Sequence, residues 1–165
     1  MGSYEYLYLD SDQPIAREAA WFRRELGFEP IPVQDGDPDH IGLRGPASTV
    51  DGMVGLAVRH NHTALADPAP GECQAIDAYR VEIEFWYRRR DTEEQRREAR
   101  LLFDRLVVAR PGTAMLLTHG SDLLTAAWLP PRGRHEFPAG TTVDEPDLET
   151  WRPWVIGVYS WLRDG

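Results

Sequence analysis

Residues 79–87 read YRVEIEFWY. Val81, Ile83 and Phe85 alternate with Glu82, Glu84 and Trp86. A period of two marks a strand with one face in the core and the other at least partly wet. The period then changes. Asp91 or Thr92 offers a helix cap, and Thr92 and Gln95 have the spacing of a capping box. Ala99, Leu102, Phe103, Leu106 and Val107 recur as one apolar stripe, with Glu and Arg dense on the other side. This helix stops before Pro111-Gly112. Beyond it, AMLLT (114–118) and LLTAAWL (123–129) flank HGSD, which is a hairpin signal.

The segment before residue 79 reads as a looser version of the same order. Tyr4, Tyr6 and Tyr8 alternate with Glu5, Leu7 and Leu9, a strand with both faces partly covered. Ser11 and Asp12 offer N-cap oxygens, and Ile15, Ala19, Phe22 and Leu26 follow at helical spacing. Gly27 stands where a left-handed residue closes a helix, and Pro30 forbids continuation. Residues 30–52 hold at most one short strand, around Ile41 to Leu43, and MVGLAVR (53–59) is a better one. Residues 60–78 read as a long surface loop. In the C-terminal stretch Trp151, Val155, Val158 and Leu162 have helical spacing, against the strand propensity of VIGVY, and a helix is expected. The sum is one α+β domain over residues 1–165. It comprises two β-α-β-β halves forming a mostly antiparallel sheet, with two or three helices packed on one side.

Composition narrows the function. The chain has 165 residues, 42% of them hydrophobic and 10% aromatic, enough for a sizeable core. Its one cysteine, Cys73, excludes an internal disulfide framework. No apolar run approaches the ~18 to 20 residues that cross a bilayer, and the acidic, aromatic start is unlike a signal peptide. A cytoplasmic protein with no membrane contact is expected. The net charge of −9 repels phosphates and argues against nucleic-acid binding. Residues 1–79 carry 13 acids against 5 arginines, whereas residues 80–110 carry 7 acids against 9 arginines. DGDPD (35–39) and DEPDLE (144–149) are the most acidic stretches, and a basic partner would be steered toward them.

Two classes of function remain. The first is catalytic. AAWFRRELGF (19–28) behind a strand resembles metal-dependent glyoxalase or dioxygenase-like enzymes of the vicinal oxygen chelate kind, which bind a divalent metal through His and Glu on inner strands. Here Glu82 and Glu84 share a strand face, and His60 and His62 point the same way from an extended segment. His40, His119 or an acid would have to complete the set, and nothing in the sequence nominates one. His119, Ser121 and Asp122 lie within one turn, too close in sequence for a triad. The residues themselves assign no catalytic group and no cofactor.

The second class is a binding module. The strand, charged turn and amphipathic helix of residues 79–109 lead through Arg110-Pro111-Gly112 to the two apolar strands around His119-Gly120-Ser121-Asp122. This order, with the Tyr-rich opening strand and short helix ending at Leu26-Gly27, resembles the Sit-type polymorphic-toxin immunity proteins over residues 3–30 and 79–130. The resemblance implies a cytoplasmic protein that binds and neutralises a cognate toxin without chemistry. Acidic immunity proteins suit basic, nuclease-type toxins. Asp35, Asp37, Asp39, Asp144, Glu145 and Asp147 are then the expected contact surface, with Trp151 and Trp154 as aromatic anchors and Trp86 as another if its strand face is open. An accessory protein of other role is a further alternative.

Overall fold

A computed structural model describes residues 4–32, 36–62, 72–89 and 91–157. The described residues form an eight-stranded sheet with every neighbouring pair antiparallel. Its first half comprises β1 (Glu5–Leu9), α1 (Ile15–Leu26), β2 (Glu29–Pro30), β3 (His40–Pro46) and β4 (Met53–His60). The second comprises β5 (Val81–Tyr87), α2 (Thr92–Ala109), β6 (Met115–His119), β7 (Leu123–Leu129) and β8 (Gly133–Glu136). The spatial order is β2-β3-β4-β5-β1-β6-β7-β8. The leading strands of the two halves, β1 and β5, therefore lie side by side at the centre. The halves run differently from there: the first goes from the sheet edge inward, the second from the centre outward. β5, α2 and β6 make a split β-α-β unit with β1 inserted between its strands. The α+β class and the antiparallel sheet match the sequence reading.

Alternation sorts the side chains. Leu7, Leu9, Val54, Leu56, Val58, Val81, Ile83, Phe85, Met115 and Leu117 face Ile15, Ala19 and Phe22 of α1 and Ala99, Leu102, Phe103 and Leu106 of α2. Both long helices cover this one face. Gly27, with φ of 73°, closes α1 in the left-handed region, where its N–H reaches Phe22 O. The start of α1 differs from expectation. Pro14 holds the N-cap position without a side-chain bond. Ser11 instead donates to the carboxylate of Glu18. In α2 the cap is Asp91, which accepts from Glu94 N at 3.1 Å. Gln95 does not close a capping box, because its Oε1 accepts from Tyr87 N at 2.9 Å. The helix is thereby tied to the strand before it.

The opposite face is also covered over β1, β6 and β7. Tyr8, Leu116, Leu124 and Ala127 pack there with Cys73, Ala75, Ile76, Tyr79, Phe137, Val143, Leu148, Trp151 and Val155. Within the expected surface loop of residues 60–78, Cys73, Ala75 and Ile76 are thus core. Asn61 Nδ2 donates to Ile76 O and Tyr79 O at 2.8 Å each and holds the segment down. Burial pushes the Cys73 thiol above its usual pKa, which leaves it a packing residue. The C-terminal helix is short: α3 (Leu148–Trp151) sits between 3-10 turns at Glu145–Asp147 and Arg152–Trp154, on the face away from α1 and α2. Pro153 limits the helix, and Val155 is already extended (φ −119°, ψ 153°). The expected helix over 151–162 does not continue through Val155, and Val158 and Leu162 lie outside the described residues.

Candidate functional site

The part of this second face formed by β4, β5 and β1 carries polar and aromatic groups. Strand register sets them in rows: Arg59 stands opposite Glu82, Ala57 opposite Glu84 and Gly55 opposite Trp86, with Tyr6 across from Glu84 on the other side. Glu82 is only 1% exposed, and a carboxylate that deep needs a partner. Arg59 supplies it, Nε to Glu82 Oε2 at 2.6 Å, and reaches Glu84 Oε2 with Nη2 at 3.0 Å. Burial of Arg59 opposes its charge, but the bonds to Glu82 and Glu84 outweigh it and raise its pKa. Tyr6 donates to Glu84 Oε2 at 3.4 Å. Burial, then the charges of Glu84 and Glu82, push the Tyr6 hydroxyl up to about 12, so it remains a donor at neutral pH.

At the far end of these rows the indole of Trp86 lies against the backbone of Gly55. A Cβ at residue 55 would stand 2.1 Å from the ring, so only glycine permits the approach. Tyr4, 44% exposed, meets Trp86 edge-on at 6.4 Å. Trp86 is half-buried, fixed from below and beside. The outcome is an aromatic pair next to an ion-pair network, presented on a sheet.

His60, His62, Glu82 and Glu84 are not gathered as a metal-ligand set. His62 Nδ1 lies 2.9 Å from Glu82 Oε2, whereas His60 Nε2 turns to Asp39 at 3.7 Å. The cation between Glu82 and Glu84 is the guanidinium of Arg59. Among the described residues no group of three or more His, Cys, Asp or Glu is placed to hold a metal ion.

The two acidic stretches do not form one patch. Asp37 and Asp39 precede β3, while Asp144, Glu145 and Asp147 follow Thr142, which bridges Leu123 of β7. Five strand spacings separate β3 from β7, roughly 24 Å at about 4.8 Å each. Asp35 lies outside the described residues. Several of these acids are engaged locally. Asp37 accepts from Asp39 N at 2.9 Å, and Asp144 accepts from Gln74 Nε2 at 2.8 Å. Asp147 accepts from Thr142 N and Oγ1 at 2.7 Å each, bonds that hold its carboxyl below the usual range. Trp151 is a correction: at 2% exposure it belongs to the core, its Nε1 donating to Asp144 O at 3.1 Å. Trp154 stays part-exposed, with His135 stacked on it at 4.3 Å and Arg132 over its ring at 4.4 Å.

Three buried carboxylates escaped the sequence reading. Glu5 lies 2.5 Å from His119 Nδ1, Glu18 is gripped by Arg110 through two bonds at 2.6 and 2.9 Å, and Glu98 receives Ser48 N and Thr49 N. Each had a signal. Glu5 shares the parity of Leu7 and Leu9, Glu18 falls in the stripe of Ile15 and Phe22, and Glu98 adjoins Ala99. A charge on a core-facing position needs a partner, and the pattern does not name it.

Burial raises the pKa of Glu5, against the lowering effects of the His119 hydrogen bond, the His119 charge and Arg96. The native state then holds a proton that the unfolded chain has released. Glu5 contributes stability that is present below its unfolded pKa, near 4.5, and lost as pH rises through its higher folded pKa. Thermal melts of wild type and Glu5→Gln from about pH 4 to pH 7 are expected to show their difference shifting against wild type across that window. A flat difference would show that burial does not disfavour this carboxylate.

Comparison of the chain with family models, with curated proteins and with solved structures finds no match.

Proposed function

We propose that the protein is a non-catalytic binding protein of the immunity type, which captures and neutralises a cognate toxin in the cytoplasm. The observation that carries this reading is the pre-formed surface of Trp86, Tyr4, Tyr6 and Arg59. Tryptophan, tyrosine and arginine dominate the energetics of protein interfaces, and side chains already held in place lose little entropy on binding. Trp86 on Gly55 and Arg59 between two carboxylates are held in that way. The net charge of −9 supports a basic partner, since it steers such a partner in while the exposed Asp37 and Asp39 beside β3 meet it at the rim. Asp144 and Glu145 act in steering only, given their distance. The resemblance of residues 3–30 and 79–130 to Sit-type immunity proteins adds to this reading.

The test is co-purification from the native host, identification of the partner, and titration of purified partner against wild type and Trp86→Ala. The variant is expected to bind at least about 30-fold more weakly, the hot-spot range, with its melting temperature close to wild type. It should also fail to protect cells expressing the toxin. Undiminished affinity in Trp86→Ala and Tyr4→Ala together, or protection without binding, would refute the proposal.

A further inference from the structure

Helix α1, which overlaps AAWFRRELGF, carries a surface opposite in charge to the chain as a whole. Arg17, Trp21 and Arg24 stand four and three residues apart and form one ladder on α1. Arg110, just past α2, reaches across from the other helix and lies over the indole of Trp21, 5.2 Å from its ring centre. With Gln13, Glu18 and Ala20 these residues wall a cavity of about 390 Å³, within the size range of small-molecule sites.

Charge within the cavity is not balanced. Both oxygens of Glu18 are consumed by Arg110, at 2.6 and 2.9 Å, and Ser11 donates to one of them. That buried pair serves the fold. Arg17 and Arg24 do not take part in it: Arg17 donates to Gln13 at 3.4 Å, and Arg24 forms only an exposed ion pair with its neighbour Glu25 at 3.0 Å, a contact that solvent screens. Three arginines and one glutamate line the cavity, and with Glu25 beside Arg24 the local excess is still positive in a chain of net charge −9. Arginine at such a site pairs with carboxylate or phosphate through charge-assisted bonds. The half-buried Trp21 and Ala20 give an apolar wall beside them.

We infer that this groove binds a small anion of two or more negative charges beside Trp21. Phosphate esters and polycarboxylates share that chemistry. The site stands apart from the toxin-binding face and does not rest on that reading.

Calorimetric titration of the full chain at low salt with ADP, pyrophosphate and citrate tests it. At least one probe is expected to bind, and the Arg17→Ala/Arg24→Ala variant should weaken it by at least about tenfold, with the melting temperature retained. Arg17→Gln alone should weaken it less, and Arg97→Ala, an exposed arginine elsewhere on α2, should leave it unchanged. Binding of citrate alone identifies a polycarboxylate site, and binding of ADP or pyrophosphate alone a phosphate site. No binding of any probe at about 1 mM, or equal weakening by Arg97→Ala, overturns the inference.

Discussion

Arg110→Ala is expected to destabilise the protein by about 3 to 5 kcal/mol, the range for removing one partner of a buried ion pair. Glu18 is 2% exposed and the side chain of Arg110 is 15% exposed, so solvent screens the pair weakly. Without Arg110 the carboxylate keeps only Ser11 as donor among the described residues. The cation over Trp21 is lost at the same time. For a chain of this length the fall in melting temperature should be on the order of 10 °C. Glu18→Gln combined with Arg110→Ala should cost clearly less than the two single changes added, because the buried charge is gone. Denaturant unfolding of the four proteins decides this. Additive losses, or an Arg110→Ala variant within about 1 kcal/mol of wild type, would mean the pair behaves as a surface contact.

Glu98→Ala should be nearly as damaging, about 3 kcal/mol, since it leaves several donors without an acceptor. The carboxylate receives Ser48 N at 2.8 Å, Thr49 N at 2.6 Å and Thr49 Oγ1 at 2.8 Å. It pins the turn between β3 and β4 to α2. Tyr87 braces the same turn from the sheet, its hydroxyl donating to Asp51 O at 2.8 Å. Glu98→Gln keeps one acceptor oxygen and should recover more than half of the loss. Hydrogen exchange should show the loss concentrated in residues 47–53. A uniform loss over the whole sheet would show that Glu98 supports the core rather than this turn.

These two carboxylates mark where sequence reading stops. Val81, Ile83 and Phe85 announce the central strand, and Ala99, Leu102, Phe103 and Leu106 announce α2, because burial on one face imposes a period that a short window reveals. Gly27 and Pro30 likewise end α1 by local rules. The reading failed where a polar side chain had a choice of partner. Gln95 has the spacing of a capping box yet bonds Tyr87, and Ser11 resembles a cap yet bonds Glu18. Residues 72–78 read as loop because their apolar residues follow no period, but Cys73, Ala75 and Ile76 pack on the sheet with Trp151. Acidic stretches 35–39 and 144–149 looked like one surface, and the strand order parted them.

Local pattern, then, decided what each segment is and which side of it turns inward. Periodicity and capping depend on neighbours a few residues away, and those are written in order along the chain. What faces each inward or outward position was decided by tertiary structure alone. Glu18 meets Arg110 across 92 residues and Glu5 meets His119 across 114. A period of two tells which way a side chain points. Only the pairing of β1 between β5 and β6 tells what it will find there.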